Sequence, residues 1–391
     1  MIAAIGMNMK IAIDARFLGP EGTGIGKYIE KLLENLQNLD SENEYVVILR
    51  RTNFNLFNQK AKNFKKIMAD SSWYTLKEQV LLPAVLSKIR PDLVHFPHFN
   101  VPLLYPGKFV LTVHDITKSE FKNIASTTHS KPIFLLKHTG YEFVLNQAVH
   151  RAKKILVPSN HVKNKLLESF DLENDKLVVT YEAADDIYSK SGSKKISKAR
   201  KRELLQKYKI KEPFIIYVGN AYAYKNLSLV FEALRFLDEK VYFVHAAVRN
   251  QFVDRLIDKA KEIGVVDSYI NTGFIPNDDL AEILPLSQTF VFPSLSEGFG
   301  LPGIEAMAAG CPVIASNIPV FKEVYGSAAL FFDPRDPKEL AKKIQSITND
   351  ENLTGWQSGL KMELRKKGLK QVKKYSWKKM AQQTFRVYEA V

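Results

Sequence analysis

Two glutamates, Glu297 and Glu305, have seven residues between them in a segment rich in glycine and alanine. Pro302 suits the first turn of a helix and Gly310 suits its end, so a helix is predicted between them. The apolar run before Glu297 predicts a strand that ends near Pro293. Both carboxylates are therefore expected where a strand of a sheet gives way to a helix.

The turn before this helix favours a negatively charged or oxygen-rich ligand. Backbone N–H groups at a helix N-terminus have no partner inside the helix, and together with the helix dipole they attract phosphate. One carboxylate here can simply complement the dipole, but two that converge on a phosphate site are better suited to accept hydrogen bonds from hydroxyls, which sugars supply. The residues expected to bind such a ligand through this turn are Gly298, Phe299, Gly300 and Leu301.

A second candidate is Lys225, which lies between two apolar runs. The first run predicts a strand that ends at Gly219, and Lys225 opens the predicted helix that follows. Its ammonium group would stand beside a helix N-terminus, where a pyrophosphate could bind. The alternative is an exposed lysine without a ligand. Asn220, in the same loop, is a further ligand-binding candidate.

Three more groups of residues follow predicted strands in the first half of the chain. Gly24 and Gly26 belong to a glycine-rich loop, where the backbone can approach a ligand closely. This loop is not G-x-G-x-x-G, because Lys27 stands where the third glycine should be. His114 follows the predicted strand 109–113, and His95 and His98 stand at a neighbouring strand end. An isolated buried histidine is more often structural.

Apolar runs of strand length alternate with segments of helical period along most of the chain. One alternation spans 10–179 and a second spans 214–332. This pattern predicts an α/β protein with two doubly wound, Rossmann-like domains that face each other across a cleft. We place the first domain at 1–187, a basic linker at 188–212 and the second domain at 213–375. A last helix, at 376–391, is expected to return to the first domain.

The glutamate segment, E-G-F-G-L-P-x-x-E-A-M-A-x-G-x-P-V-I from Glu297, resembles the signature of the family-4 retaining glycosyltransferases of GT-B fold. The similarity extends over most of the chain. It implies that Glu297 contacts the donor sugar, Glu305 the nucleoside ribose, and His114 the donor sugar as well. It also implies that Lys225 binds the diphosphate. Members of the family often pair this lysine with an arginine, and here Asn220 and Tyr224 occupy the loop instead.

The resemblance implies a retaining hexosyltransferase in which the acceptor hydroxyl attacks on the face that the nucleotide leaves. The V-G-N-x-Y-x-x-K-N-L variant looks most like mannosyltransferase-type members, so GDP-mannose is the preferred donor, followed by a UDP-hexose. The first domain would bind a glycan or lipid-linked acceptor, and the second the nucleotide-sugar donor. Alternatives are another sugar-nucleotide enzyme of the same fold, similar to the epimerases, and a nucleotide- or polyanion-binding protein without catalysis.

Several other classes of function lack their motifs. The chain has no D-x-D, zinc motif, Walker loop or G-x-S-x-G, so we expect no metal and no cofactor. Its single cysteine, Cys311, excludes an internal disulfide. No apolar stretch reaches the ~18 residues of a membrane-spanning helix, and residues 1–10 lack the features of a secretion signal. We therefore expect a cytoplasmic protein.

The net charge of +14 is concentrated in three basic segments, 50–66, 190–211 and 361–379. Such runs are often only solvated faces. In 50–66 six basic residues and no acidic ones alternate with Phe54, Phe57 and Phe64. That combination favours peripheral binding to an anionic membrane surface. No nucleic-acid-binding motif accompanies the charge, so no nucleic acid is expected as a partner.

Overall fold

The computed structural model describes residues 8–117, 131–192, 196–349 and 359–391. The first seven residues, on which part of the expectation about secretion rests, lie outside the described residues. The described residues form two compact units. The first comprises the residues up to Glu182 together with Ser376–Val391, and the second comprises Ala183–Tyr375.

Seven parallel strands form the sheet of the first unit, in the order β3-β2-β1-β4-β5-β6-β7. Consecutive residues of a strand point to opposite faces of a sheet, and Ile11, Ala12 and Ile13 are all fully buried. Both faces are therefore covered, as expected for a parallel sheet. The strands are β1 (Lys10–Asp14), β2 (Glu44–Leu49), β3 (Phe64–Met68), β4 (Leu93–Phe96), β5 (Phe109–Thr112), β6 (Ile155–Val157) and β7 (Leu177–Val179).

Four helices connect these strands within the described residues. Two of them have side-chain caps at their N-termini: Thr75 accepts a hydrogen bond from the backbone of Glu78, and Ser159 accepts one from Val162. The helices are α1 (Thr23–Leu39), α2 (Leu76–Ile89), α3 (Lys131–Arg151) and α4 (Asn160–Ser169).

The second unit has six parallel strands, in the order β10-β9-β8-β11-β12-β13. They are β8 (Phe214–Val218), β9 (Tyr242–Ala246), β10 (Tyr269–Asn271), β11 (Phe290–Phe292), β12 (Val313–Ser316) and β13 (Ala329–Phe332). The helices are α5 (Asp186–Gly192), α6 (Lys198–Lys207), α7 (Ser228–Leu234), α8 (Gln251–Ile263), α9 (Asn277–Ile283), α10 (Leu301–Ala308), α11 (Pro319–Tyr325), α12 (Pro337–Thr348) and α13 (Leu360–Gln371).

Both sheets have the same Rossmann order, in which the first strand lies between the second and the fourth. The prediction of two Rossmann-like domains is confirmed. Residues 188–212, for which a basic linker was expected, belong to the second unit and include α6. Arg200 on this helix donates to Asp279 and Glu282 at 2.6 and 2.7 Å. This part of the chain is therefore an integral part of the second unit and not a linker.

The basic segment 50–66 differs from the expectation. Residues 64–68 form β3, the edge strand of the first sheet, and Phe57 and Phe64 are buried in the core. Neither ring can insert into a lipid surface, so that part of the prediction is wrong. Lys60, Lys62 and Lys65 stay exposed. Lysine on an edge strand hinders pairing with another chain, which explains a basic strand here.

The last helix, α14 (Trp377–Glu389), packs against α1 in the first unit. Near its end the Tyr388 hydroxyl lies 2.6 Å from His95 Nδ1, while Thr112 Oγ1 lies 2.8 Å from His95 Nε2. His95 and Tyr388 are fully buried. Burial, followed by the charge of His114, lowers the pKa of His95 to about 3. His95 is therefore a neutral core residue, which excludes it as a ligand-binding histidine. Among the described helices, none is both long and apolar enough to span a membrane.

The pKa of His95 predicts an acid-dependent loss of stability in the first unit. An unfolded histidine takes up a proton near pH ~6.5, whereas folded His95 stays neutral until about pH 3. The contribution of His95 to the free energy of unfolding is thus fully present above pH ~6.5 and is lost as the pH falls below that value. The loss is about 2 kcal/mol between pH 7 and pH 5 for this residue alone. We expect His95→Gln, which cannot titrate, to lose correspondingly less stability over that interval. Native-state hydrogen exchange of first-unit peptides measures the difference, with the exposed His150→Gln as control. An equal loss in wild type and His95→Gln would contradict the prediction.

Candidate functional site

The candidate site of the second unit lies at the carboxyl ends of β8 and β11, which pair side by side. The sheet continues from β8 to β9 in one direction and from β11 to β12 in the other. The loops that follow β8 and β11 therefore diverge, which is where open parallel sheets bind ligands. The loop after β8 carries Asn220 and Lys225, and the loop after β11 carries Glu297.

Lys225 and Glu297 form an ion pair between these two loops. Lys225 Nζ lies 2.6 Å from Glu297 Oε1, and Ser294 Oγ donates to the same oxygen at 2.8 Å. The side chains are 16% and 13% exposed, so the pair is shielded from water but still reachable. Among the described residues, no group donates to the second oxygen, Oε2. The carboxylate is held through one oxygen, and the other is open to a hydrogen-bond donor.

Asn226 ties the two loops together. Its side-chain amide donates to the carbonyl oxygens of Pro293 and Pro334, at 3.2 and 2.9 Å, and its φ is 57°. Asparagine tolerates this left-handed conformation better than most residues. The next pair of loop residues, Leu295 and Tyr224, is joined by a backbone hydrogen bond of 2.8 Å. Asn226 is a supporting residue that was not predicted, although its position directly after the candidate Lys225 indicates a place in the same loop.

The turn before α10 has a shape fixed by Tyr325. Gly300 has a φ of +89°, and the Tyr325 hydroxyl donates to the Gly300 carbonyl at 2.6 Å. A Cβ at Gly300 would lie 2.3 Å from that hydroxyl. Gly298 and Phe299 are buried as well, and Phe299 packs edge-on against Tyr375. The Phe299 side chain is therefore part of the support of the turn, and Leu301 begins α10.

Glu305 lies on α10, half-buried. Burial raises the pKa of Tyr188, and the next cause is the negative charge of Glu305. The two side chains are therefore close enough to interact electrostatically. Tyr188, on α5, is a neighbour of the predicted ribose-binding glutamate that the sequence did not identify.

Asn220 follows β8 and is half-buried. Its carbonyl accepts a hydrogen bond from Tyr217 at 3.3 Å. Behind it, the buried His245 has Nε2 2.8 Å from the Gly219 carbonyl, and burial lowers the pKa of His245 to about 4. A neutral histidine thus holds the start of the loop that leads to Lys225.

His114 lies at the carboxyl end of β5 in the first unit. Its Nδ1 lies 3.1 Å from Glu182 Oε1, and its Nε2 lies 3.0 Å from the Pro97 carbonyl. The Tyr28 ring packs nearly perpendicular to the imidazole, with the ring centroids 4.8 Å apart. Both ring nitrogens face oxygen atoms, so the orientation of the ring is fixed. A sugar hydroxyl that bonded to this ring would have to share or replace one of those oxygens.

The glycine-rich segment after β1 is a turn and a helix start. The short turn Pro20–Gly22 leads directly into α1, so Gly24 and Gly26 lie in the first turns of that helix. A Cβ at Gly26 would lie 2.2 Å from the Gly19 carbonyl oxygen, whereas a Cβ at Gly24 would have no atom within 4 Å. Gly26 is therefore required by packing, and only Gly24 leaves space for a ligand.

Other chemistry-bearing side chains are scarce in the described part of the chain. There, no group of three or more His, Cys, Asp or Glu side chains is placed to hold a metal ion. Cys311 is buried, and burial raises the pKa of its thiol to about 11. Its Sγ lies 3.1 Å from Ser287 Oγ. This cysteine is accordingly a packed thiol.

Two sequence-family models match the chain. Residues 22–186 match the model described as Glycosyltransferase Family 4, and residues 200–371 match the model described as Glycosyl transferases group 1. Among curated proteins, the O-antigen chain mannosyltransferase B of Escherichia coli is 26% identical over 392 aligned residues, which cover 94% of this chain and 96% of the relative.

The fold is similar to that of solved glycosyltransferases. Sucrose-phosphate synthase from Thermosynechococcus elongatus superposes with a TM-score of 0.76 at 19% identity, covering 98% of both chains. Anabaena Alr3699/HepE, whose structure was solved with UDP and glucose, superposes with a TM-score of 0.71 at 15% identity, covering 98% of this chain and all of that one. At these identities the likeness concerns the fold.

The contact between Gly300 and Tyr325 predicts a large effect of Gly300→Ala. Gly264, with a φ of +82°, is a matched control, because a Cβ added there would have no atom within 4 Å. Gly264→Ala should cost about 1 kcal/mol for the left-handed conformation alone. Gly300→Ala should cost roughly 1 to 3 kcal/mol more, because the methyl group overlaps the Tyr325 hydroxyl. Denaturant unfolding of both variants measures the difference, and equal costs would show that the turn adapts to the methyl group.

Proposed function

Because the chain belongs to the family-4 glycosyltransferases, we propose that it transfers a mannosyl residue from a nucleotide-diphosphate sugar to a glycan or lipid-linked acceptor, with retention at the anomeric carbon. The preferred donor is GDP-mannose, followed by a UDP-hexose. Mannose is supported by the E. coli relative, which is named a mannosyltransferase. UDP-hexose is kept because the Anabaena protein was solved with UDP and glucose.

The observation that carries this proposal is the state of the Glu297 carboxylate. Lys225 and Ser294 bond to Oε1, and Oε2 accepts nothing among the described residues. An ion pair that only stabilised the fold would gain from partners on both oxygens, since a partly buried charge with unmet hydrogen bonds is costly. An oxygen left open at a ligand-binding edge of the sheet suits a sugar hydroxyl.

The proposed reaction breaks the bond between the sugar C1 and the departing phosphate oxygen, and forms a bond from C1 to the acceptor oxygen on the same face. The acceptor hydroxyl gives its proton to the departing phosphate. Negative charge develops on that phosphate, and the Lys225 ammonium and the turn before α10 are the groups proposed to stabilise it. The absence of D-x-D from the sequence supports a mechanism that needs no metal ion.

Two further roles remain proposals from the family resemblance. Glu305 would accept hydrogen bonds from the ribose hydroxyls, which its half-buried position on α10 allows. His114 would contact the transferred sugar. Its fixed orientation between Glu182 and Pro97 supports a positioning contact, in which the hydroxyl shares the Glu182 carboxylate.

We also propose that the protein works in the cytoplasm, bound peripherally to an anionic membrane surface. The support is electrostatic: Lys60, Lys62 and Lys65 are exposed, and only Lys65 among them has an acidic partner, Glu44, in the described part of the chain. With Phe57 and Phe64 in the core, the attraction would come from charge and would weaken strongly as salt is raised.

The function is tested by incubation of the protein with GDP-mannose, UDP-glucose and UDP-galactose in the presence of EDTA. We expect release of GDP from GDP-mannose that increases when lipid-linked glycan acceptors are added. Activity that requires added Mg²⁺ or Mn²⁺ would contradict the metal-free mechanism. Binding of nucleotide without release from any donor would favour the non-catalytic alternative, and epimerised sugar nucleotide would favour the epimerase-like one.

Glu297→Gln should lower turnover strongly while the fold and nucleotide binding persist. A neutral amide loses the ion pair with Lys225 and binds a sugar hydroxyl less strongly than a carboxylate does. Loss of such an interaction in the transition state corresponds to about 2 to 4 kcal/mol, or roughly 30- to 1000-fold in kcat. Steady-state kinetics with GDP-mannose measure the change, with the exposed Glu239→Gln as a charge-matched control. A variant that keeps more than half of the wild-type rate would remove Glu297 from this role.

A further inference from the structure

The first unit has its own diverging pair of loops, at the carboxyl ends of β1 and β4. The sheet continues from β1 to β2 in one direction and from β4 to β5 in the other. This is the same ligand-binding position that β8 and β11 create in the second unit. Phe17 follows β1 and His98 follows β4, and their ring centroids are 4.9 Å apart.

Tyr74 joins this pair from the loop before α2. Its hydroxyl lies 3.2 Å from His98 Nε2, and its ring lies edge-on to His98 with centroids 5.8 Å apart. Half of the Tyr74 side chain is exposed. Trp73, in contrast, is covered on its ring by Phe17 at 4.3 Å and by the Arg50 guanidinium at 4.6 Å. The Tyr74 ring also lies near Phe17 and Phe99, but these two are buried, so Tyr74 is the more exposed ring of the three.

The backbone of Tyr74 is held in a conformation that tyrosine rarely adopts. Its φ is 62°, in the left-handed region where a bulky side chain is strained. The carboxylate of Glu78 fixes it, since Oε2 accepts a hydrogen bond of 2.8 Å from the Tyr74 N–H. Strained residues that the surroundings hold in place occur preferentially at binding and active sites.

A buried charge network in turn fixes Glu78. Its Oε1 lies 2.5 Å from Arg16 Nη2, and Asn100 donates to its Oε2 at 2.5 Å. Arg16 also bonds to both oxygens of Asp14 at 2.7 Å. Arg16, Asp14 and Glu78 are all buried. Because this network joins the loops after β1 and β4 to α2, it sets the position of Tyr74 relative to Phe17 and His98.

We propose that Tyr74 and His98 form a subsite that binds a sugar ring of the acceptor. The C–H face of a sugar ring is apolar and packs on the Tyr74 ring, while a sugar hydroxyl bonds to the Tyr74 hydroxyl, which His98 Nε2 orients at 3.2 Å. Glu78 is the positioning residue of this subsite. The assignment of the sugar to the acceptor rests on the proposed function, whereas the binding of a sugar here does not.

The test is a titration with α-mannobiose, without any nucleotide sugar, followed by saturation-transfer NMR. Tyr74→Gly should weaken binding by about tenfold, which corresponds to the loss of one aromatic contact. Glycine relieves the positive φ but loses the contacts of the Tyr74 ring with Phe17 and Phe99, so thermal unfolding is measured alongside to show that the variant is folded. The control is Arg90→Gly, at the other end of α2, an exposed residue with a φ of 51°. This control should keep both binding and stability.

Mannobiose binding that is equal in wild type and Tyr74→Gly, or absent in wild type at tens of millimolar, would overturn the proposal. If Tyr74→Gly proves unstable, Tyr74→Phe decides: weaker binding by the folded variant supports the subsite, and unchanged binding overturns it. GDP release from GDP-mannose is measured separately. Mannobiose binding without GDP release would support the subsite and contradict the proposed function. GDP release without mannobiose binding at Tyr74 would support the proposed function and contradict the subsite.

Discussion

The candidate site of the second unit depends on one partly buried ion pair, Lys225 with Glu297. Neither charge has full access to water, so each needs the other, and removing one would leave an uncompensated charge in a shielded place. The loops after β8 and β11 must therefore keep a fixed separation. Asn226 maintains it by bonding to Pro293 and Pro334, and the Tyr325 hydroxyl fixes the turn that follows Glu297. The same few residues are therefore needed for the proposed function and for the local stability of the site.

Most of the fold could be predicted from the sequence, because strands buried on both faces are continuous apolar runs and several of the helices between them have a clear helical period. β8 ends at Val218 and β11 ends at Phe292, each within one residue of the predicted end. β3 was missed because it is an edge strand: only one side pairs, so lysines are tolerated and the apolar run is interrupted. α2 was missed for a related reason, since exposed Leu76 and Val80 disturb its helical pattern of apolar residues.

The candidate site was predictable to a smaller extent. Lys225 and Glu297 were identified because loops at the carboxyl ends of parallel strands meet at one edge of a sheet, and the structure brings these two side chains together. The supporting residues Asn226, Ser294 and Tyr325 were not identified, because they act through contacts that the sequence pattern does not show. His95 shows the opposite limit. Its place at a strand end suggested a ligand, and only its burial against Tyr388 identifies it as a core residue.

The position of α14 in the first unit has a consequence for how the chain folds during its synthesis. His95 and α1 depend on Tyr388 and its helix for their packing, and the whole second unit, residues 183–375, is synthesised in between. At about 5–20 residues per second the ribosome needs roughly 10 to 40 s to cross that interval. The N-terminal part must wait through it with part of its core uncovered. All strands of the second unit are synthesised before α14. The second unit is therefore expected to complete its folding before the first unit does.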